Sequence, residues 1–175
     1  AGGEGQVSAP EIAQALQSDT VLVSVMAAQN EIGTLQPIGE IGKICKEHQV
    51  LFHTDAAQAA GRVPVDVQTD GIDLMSLSSH KIYGPKGVGA LFVRRRDPRV
   101  TLSPLMFGGG QERGLRPGTL NAPGIAAFGL ACRLAAEEMS AEAERLRALR
   151  DHLWLTLNAA LDGVHLNGTL EKRLP

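Results

Sequence analysis

Residues 72–93, I-D-L-M-S-L-S-S-H-K-I-Y-G-P-K-G-V-G-A-L-F-V, hold two apolar runs, 72–77 and 88–93, separated by hydroxyls, a histidine, a lysine and a glycine-rich turn. Runs this short and this apolar suit strands buried in a sheet. Towards the start of the chain, 50–53 (V-L-F-H) and 21–26 (V-L-V-S-V-M) repeat the pattern. Helical patterns separate them. Ser8 with Pro10 and Glu11 has the form of an N-cap, a first-turn proline and an acid favouring the helix dipole, which predicts a helix to about Gln17. Ile38, Ile41 and Cys45 share one face of a helix over 38–48, which makes Cys45 a core residue. This alternation predicts an α/β fold, a mainly parallel sheet with flanking helices. Beyond the sheet, Pro123 opens a third helix to Met139, and Ser140 is placed to cap a fourth on which Leu146, Leu149, Leu153 and Leu157 form an apolar stripe. The charged last helix differs in character from the glycine-rich part before it. A large domain over 1–139 and the start of a smaller α+β domain over 140–175 are therefore expected.

Of 175 residues 43% are hydrophobic and 21% charged, which allows a sizeable core and does not resemble a disordered tract. A net charge of −2 offers no general attraction to nucleic acid. The one basic cluster, Arg94, Arg95 and Arg96, follows an apolar run and reads as the surface end of a strand, so no nucleic-acid partner is expected. Cys45 and Cys132 lack the paired spacing of metal sites or secreted disulfide frameworks, which favours a reducing, cytoplasmic compartment. No apolar stretch approaches the roughly 20 residues that span a bilayer, and none is expected to meet a membrane. The opening A-G-G-E-G-Q and the closing L-E-K-R-L-P make the chain read as a piece of a longer one.

Polar residues at the C-terminal ends of parallel strands lie where α/β sheets bind ligands. Lys81 follows such a strand. An amine partly desolvated beside other cationic groups loses its proton more easily and can act as a Schiff-base nucleophile; the alternative is a solvated surface lysine. Asp55 follows the run at 50–53, where a buried carboxylate needs a cation such as a protonated pyridine nitrogen, or else serves as a helix cap. Gln58, one helical turn further on, can reach a ring oxygen or solvent. Asn30, in A-A-Q-N-E-I-G-T, can hydrogen-bond the same oxygen or shape a turn beside Gly33. Three strand ends that converge on one edge strengthen one another. In M-F-G-G-G-Q-E-R-G-L-R-P-G-T-L-N, residues Gly108, Gly109 and Gly110 permit a tight backbone path and Arg113, Arg116 and Thr119 offer anion contacts, unless the segment is an exposed loop. His48, His152 and His165 have no ligand spacing and His53 packs within its strand, so no metal site is expected.

The segments N-E-I-G-T, H-T-D-A-A-Q, S-S-H-K-I-Y-G-P-K-G and G-G-G-Q-E-R-G-L-R-P-G-T occur here in the order seen in cysteine desulfurases, and the chain resembles that family over essentially its whole length. It is most similar to the branch that serves nitrogen fixation and iron–sulfur assembly. The resemblance implies the fold-type I architecture of pyridoxal 5'-phosphate enzymes, related to the class V aminotransferases. It also implies conversion of L-cysteine to L-alanine, with sulfur passed through an enzyme persulfide to acceptors such as iron–sulfur scaffold proteins. Carried over by position, Lys81 would be catalytic and hold the cofactor as a Schiff base, and Asp55 would pair with the pyridine nitrogen. Asn30 and Gln58 would bind the ring oxygen, and Ser78 and His80 the phosphate. Thr119 would reach the phosphate of a neighbouring subunit's cofactor, which implies a homodimer; three consecutive glycines also make that loop costly to order alone. The family's phosphate-binding threonine and ring-stacking histidine would precede Ala1, and its sulfur-accepting cysteine would follow Pro175. Cys45 and Cys132 do not resemble it, so this chain alone is not expected to desulfurate cysteine. Selenocysteine lyase is the nearest enzymatic alternative. A silent structural module is the other, and the intact Lys81 and Asp55 argue against it.

Overall fold

The computed structural model describes residues 4–175. Helix α1 (Ala9–Ala15) starts as expected, with the Ser8 hydroxyl accepting from Glu11 N at 3.4 Å. Strand β1 (Leu22–Met26), helix α2 (Ile38–Glu47) and strands β2 (Leu51–Asp55), β3 (Leu74–Ser78) and β4 (Gly89–Val93) follow. The sheet has the order β1-β2-β3-β4, with β1, β2 and β3 parallel and β4 antiparallel to β3. A parallel return needs a crossover of about a dozen residues or more, usually a helix. Residues 79–88 hold only a 3-10 turn (Ser79–Ile82), so β4 comes straight back.

One face of the sheet carries the core, where Phe52 packs with Ile41 and Cys45 of α2, Ala9 of α1 and Ile72, all buried. Val23, Val25 and Met75 pack against the same cluster. The other face presents Ser24 and Met26, His53 and Asp55, then Ser76 and Ser78, because side chains alternate along a strand and parallel partners share a face. All four strands read from sequence as buried, yet Leu22, Met26 and Leu91 on this second face are exposed. Helices α1 and α2 cover the first face alone.

The third and fourth helices are one. Helix α3 (Ala122–Ala160) starts at Asn121, whose side chain accepts from Gly124 N at 3.1 Å, and runs unbroken through Ser140. A cap needs non-helical backbone, and E-E-M-S-A-E-A-E-R contains neither glycine nor proline to impose it; a single serine costs a helix only a few tenths of a kcal/mol. Arg145 spans the next turn to Glu142 at 2.7 Å. The leucine stripe is not core in this chain: Leu149 and Leu153 are more than half exposed, at 54% and 59%.

Arg94 corrects the surface reading of the basic triplet. It is buried and pairs with buried Asp73 at 3.0 Å. Its guanidinium also donates to the carbonyls of Ile72 (2.7 Å) and Val67 and to Gln68 Oε1 (2.9 Å), while Asp73 Oδ2 accepts from Phe52 N at 3.0 Å. Because β4 runs antiparallel, its end arrives where β3 begins, and Arg94 meets Asp73 there. Arg95 and Arg96 are exposed, as expected.

Candidate functional site

The C-terminal ends of the three parallel strands form one edge, on which Met26, Asp55 and Ser76 stand abreast. Small residues close in behind it, since Ala27 and Ala28 after β1 pack on Ala56 and Ala59 after β2. Three of the expected groups come from this edge: Asn30 from the loop after β1, Asp55 from the last position of β2, and Ser78, His80 and Lys81 from the end of β3 and the turn that follows.

Asp55 lies on the uncovered face and is exposed, not buried as the sequence suggests. Its Oδ1 accepts from Ala57 N at 2.8 Å, an Asx turn rather than a helix cap. After Asp55 the chain makes single turns of helical type, with Ala59 N and Ala60 N both donating to Ala56 O, that do not continue as a helix, and Gln58 there is partly buried. Asn30 is exposed at the tip of a loop closed by Gln29 N donating to Thr34 O at 2.9 Å.

The turn after β3 is held from below. Ile82 packs with Phe128 and Ala131 of α3. Ser79 is fully buried, its hydroxyl has no hydrogen-bond partner among the described residues, and Gly84 must be glycine because a Cβ there would collide with that hydroxyl. Ser78 Oγ and His80 Nδ1 lie 3.0 Å apart on the turn's outer side. Lys81 is half-buried, and Arg62 Nη2 donates to its carbonyl at 3.4 Å. Neither Lys81 nor Asp55 has an ion-pair partner among the described residues.

Thr119 does not join this edge. It is exposed, and among the described residues its one hydrogen bond runs from Arg116 Nη1 to its carbonyl at 3.4 Å. Arg116 spends the same nitrogen on the carbonyls of Pro117 and Gly118, closing its own loop. Left-handed backbone falls on Glu112, Arg113, Gly114 and Gly118, not on Gly108–Gly110. Gly108 is required by close approach, since a Cβ would strike Pro117, whereas at Gly109 it would meet only the end of the flexible Gln111 side chain.

Two features carry no clear sequence signal. His53 bridges three strands, with Nδ1 2.7 Å from Ser24 Oγ and Nε2 2.8 Å from Ser76 Oγ. Both ring nitrogens are engaged, so this histidine belongs to the sheet. Gln29, whose type reads as solvated, shapes the Asn30 loop with its side chain. Burial, with Asp73 adding to it, pushes the Cys45 thiol up to about 11, and partial burial raises that of Cys132; neither favours a thiolate nucleophile. Among the described residues no group of three or more His, Cys, Asp or Glu could hold a metal ion, and no helix is long and apolar enough to cross a membrane.

An amine, a carboxylate, a side-chain amide and a hydroxyl–imidazole pair on one edge form a donor set for a ligand bearing an aldehyde, a protonated ring nitrogen, a ring oxygen and a phosphate. The orphaned Ser79 hydroxyl below the turn adds a further polar atom near it.

The chain is similar to several known proteins. The family model described as aminotransferase class-V matches residues 2–175. A mitochondrial cysteine desulfurase of Arabidopsis thaliana is 55% identical over 170 residues, 97% of this chain and 37% of the relative. The cysteine desulfurase IscS of Anaeromyxobacter sp. (strain Fw109-5) is 54% identical over 172 residues, 98% of this chain and 42% of the relative. A solved NifS-like protein superposes with a TM-score of 0.92 at 41% identity, covering 99% of this chain and 47% of the other. The chain thus spans less than half the length of these relatives, and the mainly parallel sheet with flanking helices is the fold of such enzymes.

Proposed function

The chain belongs to the aminotransferase class-V family, and on that premise we propose that it is the cofactor-holding part of a pyridoxal-phosphate-dependent cysteine desulfurase. The observation that carries this reading is the convergence of Asn30, Asp55 and Lys81 at the C-terminal edge of β1, β2 and β3. More than half identity to cysteine desulfurases supports it.

Pyridoxal 5'-phosphate, once bound, supplies an electron sink for charge developing at the α carbon of L-cysteine. Lys81 Nζ holds the cofactor and then carries the α proton. Asp55 keeps a proton on the ring nitrogen through the carboxylate oxygen that Ala57 N leaves free. Asn30 and Gln58 donate to the ring oxygen, and Ser78 and His80 to the phosphate. Thr119, whose hydroxyl has no hydrogen-bond partner among the described residues, serves the phosphate of a second protomer's site, which makes the enzyme a homodimer. Cys45 is buried and neither it nor Cys132 resembles the family's sulfur-accepting cysteine, which is assigned to a part of the enzyme outside these 175 residues. Sulfur passes from it to an acceptor such as an iron–sulfur scaffold protein. Two unpaired cysteines suit a cytoplasmic location. Residues 1–139 belong to the large domain and 140–175 begin the small one, with α3 continuous across the boundary.

Borohydride reduction of the full-length holoenzyme followed by peptide mapping tests the reading. Label is expected on Lys81, and label on Lys86 or on no lysine of this chain overturns it.

A further inference from the structure

Gln29 precedes Asn30 in the loop after β1 and makes three hydrogen bonds with one side chain. Its Oε1 accepts from Glu31 N at 2.5 Å and Ile32 N at 2.6 Å, and its Nε2 donates to Asn30 Oδ1 at 3.4 Å. Two backbone N–H groups can be met only by the oxygen end of an amide, so the backbone dictates which way Gln29 points. Its nitrogen end then faces Asn30, where only an oxygen can accept. Asn30 Oδ1 is thereby turned towards Gln29, and Nδ2 is left as the outward group.

The frame around this pair is tied on several sides. Gly33 N donates to Gln29 O at 3.1 Å, Arg173 Nη2 to Ile32 O at 2.7 Å and Leu174 N to Gly33 O at 2.8 Å, while Thr34 is fully buried. The loop therefore cannot easily turn to present the other end of the Asn30 amide. A reversed amide would aim its carbonyl oxygen at the ligand edge and repel an anionic oxygen there.

We propose that Gln29 is a positioning residue that holds the Asn30 amide with Nδ2 outward, as the donor to the ring oxygen of pyridoxal phosphate. This rests on the function proposed above, specifically on the contact between Asn30 and the ring. A donor at that oxygen draws charge from it and weakens its hold on the proton of the neighbouring Schiff-base nitrogen.

The test uses full-length holoenzyme without substrate and reads the pH midpoint of the cofactor's visible absorption change. Asn30→Ala is expected to raise the midpoint by roughly one pH unit, as loss of one hydrogen bond to a charged group. Gln29→Glu still accepts from Glu31 N and Ile32 N but cannot donate to Asn30, and is expected to raise it by about half as much. Gln29→Ala removes both ends without adding charge and should shift the same way, which keeps the test open if the Glu variant does not fold. Gln29→Glu/Asn30→Ala should match Asn30→Ala alone, because Gln29 acts through Asn30. A further rise in the double variant, or unchanged midpoints in both Gln29 variants while Asn30→Ala shifts, overturns the positioning role. An unchanged midpoint in Asn30→Ala overturns the ring contact itself, and the positioning role with it.

Discussion

The two edges of the sheet each carry an aspartate, and they treat it in opposite ways. At the edge where β3 begins, Asp73 is buried, paired with Arg94 and bonded to Phe52 N, so both of its carboxylate oxygens are satisfied within the chain. At the edge where β3 ends, Asp55 is exposed and stands with Asn30 and Lys81; it has one backbone donor, and neither it nor Lys81 has an ion-pair partner among the described residues. A closed polar cluster holds strands together, and an open one has capacity left for a ligand. Residue type does not separate the two cases; what the neighbouring strand brings to the edge does.

The sharpest way to break this contrast is Arg94→Ala. It leaves Asp73 buried without its cation, and urea unfolding should show a loss of about 3–5 kcal/mol. Replacing both partners, Arg94→Met with Asp73→Leu, should cost less than the single change. A single variant within about 1 kcal/mol of the parent would mean that the first edge is not closed by this pair.

At the open edge, Asp55→Asn should do the reverse. The amide oxygen still accepts from Ala57 N, so stability should stay within about 0.5 kcal/mol of the parent. Turnover of the full-length enzyme should fall roughly 10- to 100-fold, the loss of a charged hydrogen-bond partner of about 1.5–3 kcal/mol. Near-normal turnover would return Asp55 to the role of a turn residue.

In the turn just beyond the open edge lies Ser79, whose buried hydroxyl has no partner among the described residues. Ser79→Ala should raise stability by about 1 kcal/mol, since it removes a desolvated polar atom and little volume. A loss of that size would instead mean that the hydroxyl has a partner in the assembled enzyme.

On the core face an effect is expected only at high pH. The Cys45 thiol ionises near 9.0 when unfolded and near 11 when folded, so the protonated form is favoured in the fold. Its contribution to stability is complete below about pH 9 and is lost as pH rises towards 11. Cys45→Ala should flatten the stability profile in that window in chemical denaturation; an unchanged slope would place its titration elsewhere.

Much of this was legible in the sequence because it is local. Strand and helix periods located β1–β4 and α2, the spacing of Ile38, Ile41 and Cys45 gave the buried helix face, and position after a strand singled out Asn30, Asp55 and Lys81. Those signals span a turn or a strand and need no knowledge of distant neighbours. What only the tertiary structure decided depends on residues far apart in the chain meeting. Arg94 is buried because β4 returns antiparallel to bring it beside Asp73. Ser140 carries the same hydroxyl at a cap or within a helix, and only the unbroken α3 backbone shows which. Gln29 is one more polar side chain until the loop folds Glu31 N and Ile32 N onto its oxygen and so dictates which end of Asn30 faces outward. Local pattern specifies where a residue stands, while burial and hydrogen-bond partners are set by whatever the fold brings next to it.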